Sequence, residues 1–390
     1  MGGATFVKGP YRADQVGSLL RPEELLQARD AYAQRRISQE TLTQQEDESI
    51  TQVLQMQQQT GISVLSDGEY RRARWSDAWD RVLAPFTMTV PRGAAANPWR
   101  GASADIAQRT AAAVIGDRMI VNKKIDVGQA ERLTAREVGF LKRHAGGQPY
   151  KITMPGAGYI LGNPLVEPNI TDKVYSAREE LAKDLAAIVR REVVALIDEG
   201  VLYIQLDSLR YVEQIADPDR SQALMKAGLN ADQELDLIIA TDNASIEGVD
   251  RKRAVVGLHM CRGNNRSAWL AEGTYAAVAE KTFSQLQVDR LLLEYDDERR
   301  TGGFEVLRFV PRDKMVVLGI ISSKLPELES LDALRRRIDD AAKYHPLEYL
   351  GISPQCGFAS TAPGNLLSWD DQRHKLELIV ETAQRIWGSN

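Results

Sequence analysis

The chain has 390 residues, 43% of them hydrophobic and 26% charged, which is enough apolar material for a large folded core. Its 49 basic and 54 acidic residues are interspersed and sum to −5, so it lacks the basic stripe of a nucleic-acid binder. Two cysteines, no basic-then-apolar leader, and no apolar run near the roughly 18 residues of a membrane span argue against a secreted disulfide framework and a membrane protein; the expected location is the cytoplasm.

In chain order, short apolar or β-branched runs at 13–17, 62–65, 150–153, 202–206, 254–258, 290–293, 315–320 and 348–352 read as strands. Amphipathic stretches at 40–59, 177–199, 231–246, 274–286, 331–344 and 370–387 read as helices. Strand alternating with helix is the pattern of parallel βαβ units. Eight such strands predict an α/β chain of the (β/α)8 TIM-barrel class, a single catalytic domain over 1–390. Ser176 and Glu179 give the Ser-x-x-Glu of a capping box before the helix at 177. Gly200 should end that helix in a left-handed turn, and Ser368 with Asp370 should start the last one.

The interval 85–149, with its Ala- and Gly-rich pieces, Trp99 and an apolar run at 114–121, is too long for a βα loop. It reads as an excursion after the second strand that either covers the site or joins a second copy into a homo-oligomer; the sequence leaves both open.

In a (β/α)8 barrel the chemistry sits where strands end. Here the runs are followed by Gly17-Ser18, Ser66-Asp67-Gly68-Glu69, Met154-Pro155, Asp207, His259-Met260-Cys261, Glu294, Ser322-Ser323 and Pro354-Gln355-Cys356-Gly357. Polar groups able to bind a metal or an amino acid follow most of the strands. His259, Cys261, Glu294 and Cys356 form the sharpest subset, because Zn2+ prefers thiolate, imidazole and carboxylate in tetrahedral arrangement. His-x-Cys on an extended backbone puts both side chains on one face. A lone free cysteine is usually a small buried hydrophobe, but two cysteines and a histidine at two strand ends, with a carboxylate at a third, favour a metal site. A closed structural zinc more commonly uses paired Cys-x-x-Cys, which this chain lacks.

His259-Met260-Cys261, Glu294 and the Pro-x-Cys-Gly of residues 354–357 resemble the zinc half of cobalamin-independent methionine synthase, and the similarity runs from Val16-Gly17-Ser18 to the final helix. The resemblance implies a (β/α)8 barrel, Zn2+ on His259, Cys261, Glu294 and Cys356, and homocysteine as methyl acceptor. Ser18, Glu69 and Asp207 match residues that hold the amino-acid part of homocysteine, the carboxylates facing its ammonium group. Without it, Asp67 and Glu69 read as a solvated Asp-Gly turn, whereas Asp207 at the end of an apolar run already reads as a strand-end site. The expected activity is zinc-dependent S-methyl transfer, like that of 5-methyltetrahydropteroyltriglutamate–homocysteine methyltransferase, with methyl-folate or methylcobalamin as donor.

Departures from the pattern matter. The typical enzyme has two similar halves, the other of which helps to bind the polyglutamate folate there, and this chain is about the length of one, which leaves the folate donor open. The family's Asp-Glu-Pro is Asp207-Ser208-Leu209 here, and a histidine expected after the seventh strand is Ile321. The acid for the leaving group is therefore unassigned, with Lys324 and Tyr159 the stand-ins the sequence offers. Short relatives also include epoxyalkane:coenzyme M transferase, so alkyl transfer from an epoxide to another thiol is the alternative activity; a zinc-stabilised binding protein without catalysis is the other. Arg12, Arg21, Arg71, Arg72 and Arg74 near the first two strand ends suit a sulfonate or carboxylate, although such runs are usually solvated surface.

Overall fold

A computed structural model describes residue 9 and residues 11–91, 98–114, 117–162, 165–226 and 228–388, apart from the side chains of 111–114 and 214. Two short antiparallel strands come first, β1 (Thr87–Val90) and β2 (Arg118–Val121). Six parallel strands follow: β3 (Lys151–Pro155), β4 (Tyr203–Ser208), β5 (Val255–Met260), β6 (Arg290–Glu294), β7 (Met315–Ile321) and β8 (Leu350–Pro354). They pair in chain order into one sheet. Every residue of these six except Met315 is buried, which is how parallel strands covered on both faces read. Helices at Arg178–Asp198, Ala231–Ala244, Ala279–Gln285, Leu331–Ala342 and Trp369–Trp387 supply the cover, at the places the amphipathic pattern predicts.

The first two expected strands are present in position but not as ladders. Ala13 makes one parallel bridge to Ile352 of β8, and Leu65 makes one to Tyr150, beside β3. Side chains replace the missing ladder. The Gln57 amide donates to Ser66 O (2.8 Å) and accepts from Ser66 N (2.9 Å), as a neighbouring strand would. Ser66 Oγ donates to Gly17 O at 2.9 Å, Ser63 Oγ to Ala13 O at 3.3 Å, and Leu19 N to Gly68 O at 3.1 Å, so the two segments meet each other as well as the sheet's two edges. Buried Lys151 ties this corner to the sheet, donating to Asp14 Oδ1 (2.8 Å) and Gln205 Oε1 (2.7 Å). The architecture is the expected (β/α)8 class, with its first two strands reduced to single bridges.

The punctuation holds with two corrections. Gly200 has φ +91°, as a left-handed helix stop requires. Ser368 accepts from Asp371 N at 3.1 Å while Asp371 accepts from Ser368 N at 2.8 Å, a complete capping box that uses Asp371 rather than Asp370. The box expected at Ser176 is absent: the helix starts at Arg178, and Glu180, not Glu179, reaches back to Ser176 N (3.2 Å) and Oγ (3.0 Å). One residue's difference in helix start moves the reach by one residue.

The 85–149 excursion holds β1, β2 and the helices Ala104–Val114 and Ala135–His144. It docks on the loop after β5: Arg100 and Trp269 pair backbone to backbone, and Asn265 Nδ2 donates to Ala107 O at 3.0 Å. Among the described residues no helix is long and apolar enough to cross a membrane.

Candidate metal centre

Backbone alternation sets the first two donors. Leu258 and Met260 of β5 face the hydrophobic core, which turns His259 the other way. Cys261 N donates to Ser208 O at 2.8 Å, extending the β4–β5 ladder one residue past β5 and keeping Cys261 on the side of His259. Glu294 is the last residue of β6. Cys356 lies two residues past β8, where Gln355 is fixed by Gln355 N→Ile321 O (2.8 Å) and Ser323 N→Gln355 Oε1 (2.5 Å).

One donor atom from each of His259, Cys261, Glu294 and Cys356 lies within 4.8 Å of the others, and all four residues are buried. The two sulfurs are 3.4 Å apart. His259 Nδ1 is 3.3 Å from Leu292 O, leaving Nε2 with no hydrogen-bond partner. Glu294 Oε1 accepts from Arg262 N at 2.7 Å, while Oε2 has no partner. Buried polar atoms are nearly always satisfied, so two orphaned acceptors beside two thiols are the donor set a cation such as Zn2+ would complete.

The buried groups of the cluster shift one another's protonation. Burial and neighbouring Cys356 raise the Glu294 carboxyl to about 6. Burial opposes a charge on His259, but Cys356, Asp207 and Glu294 outweigh it and lift its pKa to about 9. The hydrogen bond between the thiols, followed by burial, pushes Cys261 well up; the same bond, with His259 assisting against burial, pulls Cys356 well down.

Ser18, Glu69 and Asp207 line the same cavity of about 1220 Å³ as His259, Cys261 and Cys356. The Asp-Gly turn before Glu69 is real but not solvated: Asp67 is 5% and Glu69 3% exposed, so the solvated-turn reading is wrong. Asp67 Oδ1 accepts from Glu69 N at 3.0 Å, and Gly68 (φ +67°) and Glu69 (φ +60°) both take left-handed backbone, which swings the Glu69 side chain inward. Glu69 Oε1 accepts from Thr153 Oγ1 at 2.7 Å, and its Oε2 has no partner. Asp207 Oδ1 accepts from Gln205 Nε2 at 2.7 Å; burial, with His259 opposing, raises its carboxyl to about 7.

Two glycines let these walls approach. Gly17 has φ +130°, and a Cβ there would sit 2.6 Å from Thr153 Cγ2. A Cβ on Gly357 would sit 1.8 Å from Ser18 Oγ. Gly357→Ala is expected to lower stability by ~1–3 kcal/mol, the usual range for overpacking, and to displace Ser18 or the Cys356 loop. A thermal melt together with metal content would check it, and an unchanged melt would show that the contact relaxes freely.

Of the two stand-in acids, Tyr159 borders the cavity, its ring 4.6 Å from Trp75, with the Arg210 guanidinium 4.8 Å above it. Lys324 is buried behind the cysteine loop, donating to Asn264 Oδ1 at 3.2 Å, and does not line the cavity. Among the five arginines, Arg74 alone lines it. Arg12 and Arg21 hold backbone carbonyls, Arg71 pairs with Glu46 and Asp47, and Arg72 pairs with Glu137; they are structural. Sequence reading missed Trp75, Thr153, Gln205, Arg210 and Asn264. Trp99 and Met119 from the excursion also border the cavity.

Residues 167–385, more than half of the chain, match the family model described as the catalytic domain of the cobalamin-independent synthases. The chain belongs to that family. It is 36% identical over 385 residues to the uncharacterized protein YxjG of Bacillus subtilis (strain 168), covering 97% of this chain and 96% of that one. It is 22% identical over 346 residues to methionine synthase of Pyrococcus abyssi, covering 88% and 84%. A candidate vitamin-B12 independent methionine synthase from Listeria monocytogenes superposes with a TM-score of 0.72 at 26% identity, over 98% of this chain and 99% of that one. A B12-independent methionine synthase from Shewanella sp. W3-18-1, solved in complex with selenomethionine, shares the fold with a TM-score of 0.66 at 20% identity, over 95% and 96%. The chain thus carries a catalytic domain of the methionine synthase-like family.

Proposed function

We propose that this cobalamin-independent synthase relative is a Zn2+-dependent S-methyltransferase whose acceptor is homocysteine or a close analogue. One observation carries the reading: a buried His–Cys–Glu–Cys donor set opens on a cavity that also holds two carboxylates, Glu69 and Asp207.

His259, Cys261, Glu294 and Cys356 would hold the ion, and a bound Zn2+ supplies an acidified, still nucleophilic thiol at neutral pH. The rest falls to the chain's own groups. Glu69 presents its unpaired Oε2, and Asp207 its carboxylate, to the acceptor's ammonium group, which fixes the sulfur at the end of a short chain reaching toward the cysteines. Thr153 and Gln205 hold the two carboxylates in place, and Lys151 backs Gln205. Orienting acceptor and donor in this way supplies roughly 7–11 kcal/mol of the barrier in well-aligned systems. Trp75, Trp99 and Tyr159 line the cavity and limit water near the sulfur. Two carboxylates would repel a sulfonate tail, which disfavours coenzyme M as the acceptor.

X-ray absorption on the purified protein tests this directly. Zinc should be present near one per chain with two sulfur ligands, and homocysteine should add a third while an oxygen ligand disappears. Coenzyme M should leave the spectrum unchanged. A protein that binds no zinc, or whose zinc ignores every thiol, refutes the proposal. Screening methyl-folates of several glutamate lengths, methylcobalamin and small epoxides then identifies the donor.

A further inference from the structure

A carboxylate that gives up its place to an incoming thiol needs somewhere to go, and a buried anion with no partner is costly. Glu294 has such a place within reach. Its Oε2 lacks a hydrogen bond, and 4.0 Å away lies Arg300 Nη1, which lacks one too. Both side chains are nearly inaccessible, at 0% and 5% exposure. A charge-assisted N–H···O contact is about 2.8 Å, so the pair is near but not closed.

Arg300 is held for this. Its Nη2 donates to Asp296 Oδ1 at 2.6 Å, its guanidinium stacks 4.8 Å over the Trp269 ring, and Asp297 caps the short turn that carries it. Of the other buried cations of this region, Lys324 donates to Asn264, and Arg262 donates to Gly273 O at 2.6 Å with its guanidinium over the Tyr275 ring. Arg300 Nη1 is therefore a fixed donor facing Glu294 with its own hydrogen bond unmade.

Resting on the reading above, we propose that Arg300 is a positioning residue for acceptor entry: it receives the Glu294 carboxylate when the acceptor thiol takes that carboxylate's place in the ligand set. The exchange balances simply. The thiol joins as thiolate, its proton passes to water, and Glu294 stays ionised, its charge now answered by Arg300. Without Arg300 the displaced Oε2 would be buried with no partner, Oε1 alone keeping its bond from Arg262 N, so the resting arrangement would be favoured and the thiol would bind poorly.

The test is thiol binding to the zinc-loaded or cobalt-substituted full chain, using homocysteine as the probe. In Arg300→Met, metal content should stay near one per chain, while the homocysteine Kd and KM rise by ~10–100-fold, the range seen when a partner of a metal ligand is removed, with kcat much less affected. The sulfur-to-cobalt charge-transfer band should need correspondingly more thiol to reach its plateau, and Arg300→Lys should recover part of the affinity. Should Arg300→Met fail to fold, Arg300→Gln, neutral but still able to bond Asp296, takes its place with the same expectation. A neutral variant that binds homocysteine as tightly as the parent, with the same loss of the oxygen ligand, overturns the inference and leaves the proposed function intact. A parent protein whose metal never takes up the thiol overturns both.

Discussion

Replacing either Cys261 or Cys356 with serine is expected to give folded protein with little zinc and no measurable methyl transfer. Both residues sit just past strand ends, with Leu209 as their one fully buried apolar neighbour in a small cluster away from the main core. The exchange therefore removes a metal donor without opening a cavity among core side chains. A serine hydroxyl stays protonated at neutral pH and is a poor ligand for a borderline-soft cation. Four-ligand zinc sites bind with apparent free energies of about 10–16 kcal/mol, so one thiolate is worth roughly a quarter of that, two to three orders of magnitude in affinity. Metal analysis by mass spectrometry, with circular dichroism to confirm the fold, reads the outcome. Full activity in a metal-free serine variant would remove the chemical basis of the proposed function.

How much of this was legible in the sequence depended on what kind of signal each part left. The six parallel strands were readable because strands buried on both faces leave continuous apolar runs, and the helices between them because one face is apolar. The first two strands were readable only in place. Their ladders are replaced by Gln57, Ser63 and Ser66 side chains, and no period in the sequence reports a glutamine standing in for a strand. The helix Gln39–Thr60 was found, yet that it buries Gln57 for this purpose was not. At the site, donors of distinctive chemistry were visible, since few other arrangements explain two cysteines and a histidine at strand ends. Groups of ordinary chemistry were not. Thr153 and Gln205 are inward positions of β3 and β4 that any barrel could carry, and Asn264 lies in a loop and Arg210 and Arg300 in short helical turns, with contacts that span up to about a hundred residues of sequence. Glu69 was recovered through the family pattern rather than local chemistry, because Asp-Gly-Glu describes a surface turn equally well and only burial tells the two apart.

That burial is the reason the second large effect falls on Glu69 and Asp207. Glu69→Gln and Asp207→Asn are each expected to raise the homocysteine KM steeply while zinc content stays near one per chain. Both exchanges keep shape and the existing hydrogen bonds: the new amide oxygens can still accept from Thr153 Oγ1 and Gln205 Nε2. What is lost is the negative charge opposite an ammonium group in a poorly solvated cavity. Truncating one partner of a buried, hydrogen-bonded charge pair typically costs about 2–5 kcal/mol, which corresponds to tens to thousands of fold in KM. A thiol acid of the same length without the amino group separates this cause from general damage. The parent should strongly prefer homocysteine to it, because two carboxylates without an ammonium are left uncompensated. Each variant should narrow that preference, and the double variant should come close to abolishing it. If the variants lose activity toward both thiols in equal proportion, the carboxylates support the fold of the cavity and do not read the amino group.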